Sequence, residues 1–458
     1  MSSIISMFVL VAFQLSIQAA KSEPLIQDEA WGYVEVRPNA HMFWWFYGAQ
    51  VKDPAERVQK PLLMWLQGGP GASSTGYGNF AEIGPLDIDL KPRNTTWIKE
   101  ANIVFVDNPV GCGYSYVTDP SALTTNISGT TKSLSFVFLE ITADLITFFK
   151  AFLLKFPIFQ KLPFFIAGES YGGKMAAALG KALYVLIKEK KIQCNLIGLA
   201  LGDSLISFED ITLSYGPYLF SFSLLDGKDY NDVQELANEV FNAASKGDFK
   251  TAMDLTDKGN NLIANVTDNV DVYYVLRHNV LDSVNTQSLI HKNTSRLSHD
   301  QMFAQYIIRA HSDPLSELMN GPIRKKLGII PENVTWGGQS NLVADRQRND
   351  IPSSVLSDVG ELVRGGVKVI VYEGQLDMIC GTLGAELWIS KIKWDGLSEF
   401  LKASRKPLYA PSKLEKRETG AFLKSYKNFG LYYILNAGHM VPIDAPEMAL
   451  EMIKTVLN

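Results

Sequence analysis

Cysteine is scarce in this 458-residue chain, which has only Cys112, Cys194 and Cys380. Three cysteines cannot build a disulfide framework and leave at least one thiol free, so the fold must be held by its core. Past the N-terminus no apolar run reaches the ~20 residues that a spanning helix needs, and no stable membrane insertion is expected. No Cys/His cluster has metal-ligand spacing, and no phosphate-cradling glycine loop precedes a lysine. The expectation is therefore no metal and no cofactor. An excess of positive charge is also missing: 43 Lys and Arg face 48 Asp and Glu, for a net charge of −5, which argues against nucleic acid as the principal partner. The clusters Arg324-Lys325-Lys326 and Lys413 to Arg417 read as solvated faces. Internal repeats and low-complexity tracts are absent as well.

What is present begins with an apolar N-terminal segment, Ile4 to Ile17, ending in Gln18-Ala19-Ala20, small residues suited to signal-peptidase cleavage. No Lys or Arg precedes it, so its positive end is the terminal amine alone. A membrane anchor is the competing reading, but the run is short for one. Residues 1–20 are read as a signal peptide. Five glycosylation acceptors follow, at Asn94, Asn126, Asn265, Asn293 and Asn333. Leader and acceptors together point to the secretory pathway, with secretion or the lysosome as destination.

The most informative stretch is Phe164-Phe165-Ile166-Ala167-Gly168-Glu169-Ser170-Tyr171-Gly172-Gly173. An apolar strand pattern stops at a serine among glycines and gives way at once to a helical pattern, Lys174 to Ile187. That is a nucleophile elbow, in which a sharp strand-to-helix turn holds the serine hydroxyl at the top of a sheet. Such a serine needs a base and an acid, supplied later in the chain in the order Asp or Glu, then His. Val367 to Tyr372 is a β-branched strand pattern followed by Glu373-Gly374-Gln375-Leu376-Asp377, and Leu431 to Leu435 is another, ending in Asn436-Ala437-Gly438-His439-Met440. Both side chains fall at strand C-terminal ends, where ligands of parallel sheets collect. His41 precedes the elbow, and His278, His291, His299 and His311 lie in polar segments expected to be helical.

Further strand patterns are Tyr33 to Arg37, Met42 to Tyr47, Pro61 to Leu66, Asn102 to Asp107, Pro163 to Ala167 and Leu196 to Leu201; several are continuous apolar runs, as in strands covered on both faces. Helical patterns cover Ser133 to Phe152, Lys174 to Lys190 and Pro446 to Leu457. The expected architecture is an α/β-hydrolase fold, a mostly parallel central sheet flanked by helices. Residues 21–204 form the first part of its core, and 351–458 the second. Between them, 205–350 turns polar and helix-compatible, most regularly over Asp229 to Leu255, and reads as an inserted, largely helical cap. Trp44-Trp45-Phe46-Tyr47 reads as sheet core. The turn Gln67-Gly68-Gly69-Pro70-Gly71-Ala72-Ser73-Ser74 suits either an ordinary tight turn or an oxyanion hole, with Gly69 and Tyr171 supplying the backbone N–H donors.

Trp65 to Ser74, Val106 to Tyr116, Gly168 to Gly173, Gly374 to Asp377 and Gly438 to Pro442 together resemble the serine carboxypeptidase family, in family order and over nearly the whole chain. The resemblance implies an exopeptidase acting on peptide or protein C-termini through an acyl-enzyme, with Ser170 as nucleophile, His439 as base and acid, and Asp377 orienting His439. It also implies that Trp65, Gln67, Glu82 and Glu169 surround the substrate's terminal carboxylate, and that Met440 lines the leaving residue's pocket. Three carboxyls cannot all ionise together, so Glu82 and Glu169 are expected to share protons and favour activity at acidic pH. Gln67 stands where many members have Asn and Ala72 where many have a disulfide cysteine; Cys380, just past Asp377, is expected as a buried thiol beside the site. Two alternatives stay open at this point: an esterase or acyltransferase using the same triad, and a hydrolase-like protein whose main role is binding a partner. The oligomeric state is open too, a homodimer included.

Overall fold

Among the described residues, eleven strands form one sheet: β1 (Glu29–Arg37), β2 (Ala40–Tyr47), β3 (Leu62–Leu66), β4 (Asn102–Val106), β5 (Tyr116–Val117), β6 (Pro163–Glu169), β7 (Asn195–Gly202), β8 (Lys368–Gly374), β9 (Lys406–Ala410), β10 (Glu418–Tyr426) and β11 (Phe429–Ile434). The computed structural model describes residues 26–124, 136–279, 314–337, 340–410 and 418–458. The leader, Asn126, Asn293, His291, His299, His311 and Lys413 to Arg417 lie outside these residues. The strand order is β1-β2-β4-β3-β6-β7-β8-β11-β10-β9, with β5 beside β2. From β4 to β11 every neighbouring pair is parallel, and the antiparallel strands sit at the two edges. β3 and β4 are buried at every residue, the burial that a parallel sheet covered on both faces requires.

The eight expected strands are present with ends displaced by a few residues. β5, β9 and β10 were not expected. β5 spans only two residues, and β9 and β10 mix exposed and half-buried positions such as Lys406, Glu418 and Lys424, so neither an apolar run nor a clean alternation marks them.

The principal helices are α1 (Phe136–Lys155), α2 (Tyr171–Lys188), α3 (Phe208–Leu213), α4 (Tyr215–Ser221), α5 (Gly227–Ser245), α6 (Phe249–Val266), α7 (Leu356–Arg364), α8 (Thr382–Ile389) and α9 (Pro446–Leu457). No described helix is long and apolar enough to cross a membrane. Between β7 and β8 the described residues contain no strand, and α5 packs against α6 there. The regular stretch expected over Asp229 to Leu255 is therefore two helices. Gly247 takes a positive φ of 76°, and the Asp248 side chain accepts the Thr251 N–H to start α6. His278 is not helical. Asp268 and Asn269 turn the chain at positive φ, and His278 then pairs with Val270 in an isolated bridge.

The helix beside the N-terminal strands shows how the core is closed. Leu145, Phe148, Phe149 and Phe152 recur at helical spacing on one face of α1 and are all buried. Phe152 meets Trp44 edge-on with ring centroids 5.6 Å apart, and Phe149 stacks on Phe164 at 4.4 Å. Truncating Phe152 to Ala is expected to cost about 3–5 kcal/mol of folding stability, read as a lower urea midpoint with an unchanged slope.

Candidate active site

β6 lies in the middle of the sheet, buried from Phe164 to Glu169, and ends at Ser170. Ser170 has φ 59° and ψ −125°, a conformation an L-residue keeps only when its surroundings impose it. They do so from three sides. Its N–H donates to Gly202 O at 3.0 Å, and its carbonyl accepts the N–H groups of Gly173 at 3.1 Å and Leu205 at 3.0 Å. Gly68 packs so closely that a Cβ there would lie 2.6 Å from the Ser170 Cβ, which is why the loop after β3 needs glycine. α2 starts at the next residue.

β8 and β11 are parallel neighbours, so the turns that follow them share one edge of the sheet with Ser170. There His439 Nδ1 meets Asp377 Oδ2 at 2.7 Å, both residues being buried. Asp377 also accepts the Ile379 N–H at 2.9 Å and the Cys380 N–H at 3.2 Å. Ser170 and His439 line one cleft of about 190 Å³ together with Gly69, Tyr215, Tyr273 and Cys380. Cys380 is 3% exposed, and burial raises its thiol pKa well above the ordinary range, so the nucleophilic thiolate is suppressed.

A segment between β7 and β8 braces both loops. Val272 O accepts the N–H groups of Met378 and Ile379, the Val275 N–H donates to Leu376 O, and Tyr273 O accepts the His439 N–H at 2.9 Å. The Tyr273 ring stands edge-on to the imidazole, 5.1 Å between centroids. α6 contributes Met253, Thr256 and Asn260 to the cleft wall, and Arg348 ties that helix down through Asp254 at 3.1 Å and Asp257 at 2.5 Å.

Around the cleft floor, Gly69 has φ 105°. The loop that carries it is fixed by the buried Asp107, which accepts from Ser73 Oγ (2.8 Å), Thr75 N (2.9 Å), Thr75 Oγ1 (2.8 Å) and Tyr114 N (2.9 Å). The Tyr171 N–H opens α2, where backbone donors have no partner within the helix.

Trp65, Gln67, Glu169 and Glu82 form a buried chain that does not line the cleft wall. Trp65 Nε1 donates to Gln67 Oε1 at 2.8 Å, and Gln67 Nε2 donates to Glu169 Oε1 at 2.8 Å. Glu169 Oε2 and both Glu82 oxygens are buried without a donor among the described residues. Burial, then the Glu82 carboxyl beside it, pushes Glu169 well above the carboxylate range; burial also raises Glu82. Two acceptor-only carboxylates can bond to each other only through a shared proton. Met440 is buried next to His439 and likewise stays out of the cleft wall.

Two groups of site residues escaped the sequence reading. The Tyr171 hydroxyl donates to Asp350 Oδ2 at 2.7 Å, and Lys174 Nζ reaches the same oxygen at 3.2 Å, Asp350 O at 2.6 Å and Ser353 Oγ at 2.7 Å. Lys174 and Asp350 are fully buried, and a lysine inside the otherwise apolar start of α2 was the available sign of a buried partner. The second group, Asp203 and Glu373, sits at strand ends, the same position that drew attention to Asp377.

The parallel sheet, the strained serine at its centre and the aspartate-held histidine at the same edge define an α/β-hydrolase fold with the arrangement that nucleophilic catalysis by serine requires. A sequence profile described as serine carboxypeptidase matches residues 21–458. The chain is 46% identical over 428 residues to the retinoid-inducible serine carboxypeptidase of Homo sapiens, covering 93% of this chain and 91% of that one. It is 42% identical over 440 residues to serine carboxypeptidase-like 51 of Arabidopsis thaliana, with the same two coverages. Among solved structures, a prohormone-processing carboxypeptidase of Saccharomyces cerevisiae, Kex1Δp, superposes with a TM-score of 0.75 at 20% identity, covering 93% of this chain and 90% of the other. The chain belongs to the serine carboxypeptidase family, and it is a serine-type exopeptidase.

Breaking the Lys174–Asp350 pair from one side strands a buried charge. Lys174→Met is expected to cost about 3–5 kcal/mol, and adding Asp350→Asn to recover part of that loss, measured as a double-mutant cycle by chemical denaturation.

Proposed function

We propose that Ser170, His439 and Asp377 form the catalytic triad that releases the C-terminal residue of a peptide through an acyl-enzyme. The observation that carries this reading is the 2.7 Å His439–Asp377 contact beside a strained serine in one cleft. With Nδ1 held by Asp377, Nε2 is left to take the Ser170 hydroxyl proton. Ser170 Oγ bonds to the scissile carbonyl carbon. The proton passes from His439 to the leaving nitrogen, the C–N bond breaks, and the free amino acid departs. Water, deprotonated by His439, then attacks the ester carbonyl carbon; the C–Oγ bond breaks, His439 returns that proton to Ser170 Oγ, and the shortened peptide leaves with its new C-terminal carboxyl group. The Gly69 and Tyr171 N–H groups would receive the oxyanion at each stage; losing one such donor costs about 3 kcal/mol of transition-state stabilisation.

The family resemblance assigns Trp65, Gln67, Glu82 and Glu169 to the terminal carboxylate and Met440 to the leaving residue, although all five are buried behind the cleft wall in this structure. The donors among them are the Gln67 amide and the proton held between the glutamates. Because both glutamate pKa values are raised, that proton is present in acid and leaves as pH rises through the pair's folded-state values. Recognition therefore weakens on the alkaline side. The linked stability term has the same sign: it is full below the unfolded carboxyl pKa of about 4.3 and is lost on the same ascent.

C-terminal amidation of a good peptide substrate should abolish most turnover, as should Ser170→Ala. The peptidase kcat/KM should fall at high pH while hydrolysis of an ester substrate without a free carboxylate persists. Equal turnover of amidated and free peptides would move the assignment to an esterase or acyltransferase.

The protein is further proposed to be a soluble glycoprotein of the secretory pathway, secreted or lysosomal. The apolar leader supports this, as do the exposed side chains of Asn94, Asn265 and Asn333. Enzymatic deglycosylation of the protein from a secretory host should lower its apparent mass; an unchanged mass would count against the assignment.

A further inference from the structure

Beside the triad lies a second carboxyl pair that the reaction scheme leaves unused. Asp203 follows β7 at a positive φ of 41°, and its N–H donates to Tyr372 O at 2.9 Å. Asp203 Oδ1 accepts the Gly374 N–H at 2.6 Å. Gly374 is three residues before Asp377, and a Cβ on it would lie 2.1 Å from Gly438 O in the histidine loop. The Asp203 side chain thus fastens the point where the two catalytic loops touch.

Its other oxygen, Oδ2, is buried and has no donor among the described residues, and neither do the two oxygens of Glu373 or the Tyr372 hydroxyl. Both carboxyls are 0% exposed, and Asp203 and Glu373 directly follow Gly202 and Tyr372, which are paired in register on neighbouring parallel strands. Among the described residues, the titratable groups facing them are all acidic: Asp377 and Cys380 on the following turn, Glu169 on β6, Glu82, the Tyr372 phenol on β8 and the Tyr218 phenol on α4. Two ionised carboxylates in that setting repel each other without a cation or donor to offset them.

We propose that Asp203 and Glu373 are positioning residues which share one proton as a hydrogen-bonded acid pair, and that this pair holds the Asp377 turn against the His439 loop. The pair carries one proton and one negative charge. An O–H of one acid donates to an oxygen of the other, while Asp203 Oδ1 remains the acceptor for Gly374. Burial, followed by the neighbouring carboxyls, raises the pKa of both groups, in keeping with a proton retained at neutral pH. This assignment rests on Asp377 and His439 serving Ser170 as proposed above.

Two measurements on the full-length enzyme test it. In the infrared difference between wild type and Glu373→Gln at pH ~7, where an ordinary carboxyl is ionised, the wild type should show a protonated-carboxyl C=O band that the variant lacks. The amide introduced by Glu373→Gln would donate to Asp203 and leave it ionised. Absence of that band overturns the shared proton. In the second measurement, Asp203→Ala should slow fluorophosphonate labelling of Ser170 by about tenfold or more, the scale expected when a catalytic group is misplaced. Asp203→Asn, which keeps an acceptor for Gly374 and a donor for Glu373, should restore most of that rate. Labelling of Asp203→Ala at the wild-type rate, or no recovery in Asp203→Asn, overturns the positioning role. If Asp203→Ala does not fold, Asp203→Asn and the infrared spectrum decide. Failure of the wild type itself to label would instead strike the triad, leaving the infrared result to stand alone.

Discussion

The organising constraint of this molecule is the burial of carboxyl groups at one edge of a sheet. Glu82, Glu169, Asp203, Glu373 and Asp377 are each at most 1% exposed, and taking a carboxylate out of water costs several kcal/mol unless donors replace the lost hydration. Donors are distributed unequally. Asp377 has two backbone N–H groups and the imidazole, whereas Glu82 and Glu373 have none from the described residues. Where donors are few, burial raises the pKa of Glu82, Glu169, Asp203 and Glu373, which favours protons shared between neighbouring acids. The division of labour among chemically similar side chains comes from which backbone amides point at them.

Asp107 shows the opposite solution to the same problem. It is equally buried, but four donors from Ser73, Thr75 and Tyr114 converge on it, and it serves as the hub that ties the loop after β3 to the loop after β4. That loop brings Gly69 to the cleft and Gly68 against the serine. The geometry around Ser170 is thus secured from two directions: by the sheet, through Gly202 and Leu205, and by the Gly68 loop, which the Asp107 carboxyl holds in place.

Much of this was legible in the sequence, for a physical reason. Parallel strands covered on both faces leave continuous apolar runs, and the proposed triad sits where such runs stop, so Ser170, Asp377 and His439 are marked by punctuation only a few residues long. β9 and β10 escape because half-exposed edge strands carry mixed residues. The α5–α6 break escapes because Gly247 and Asp248 interrupt an otherwise steady helical pattern without a proline. The Lys174–Asp350 and Asp203–Glu373 pairs escape for another reason: each joins residues far apart in the chain, and the meaning of either partner depends on the other. Tyr273 was equally hidden, since its role is carried largely by a backbone carbonyl, which sequence does not mark.

The bracing of the catalytic loops by Val272, Tyr273 and Val275 bears on how such an enzyme can change. Covers inserted into hydrolase sheets invite treatment as exchangeable modules, because they enter and leave the core at loops. Here the segment between β7 and β8 also supplies backbone hydrogen bonds, two acceptors and one donor, that hold the Asp377 and His439 loops in register. Exchanging the whole cover for another would therefore alter the chemistry as well as the choice of substrate, whereas exchanging α6 alone would leave those acceptors in place. The residues that brace the Asp377 and His439 loops thus lie within the stretch between β7 and β8 rather than at its ends.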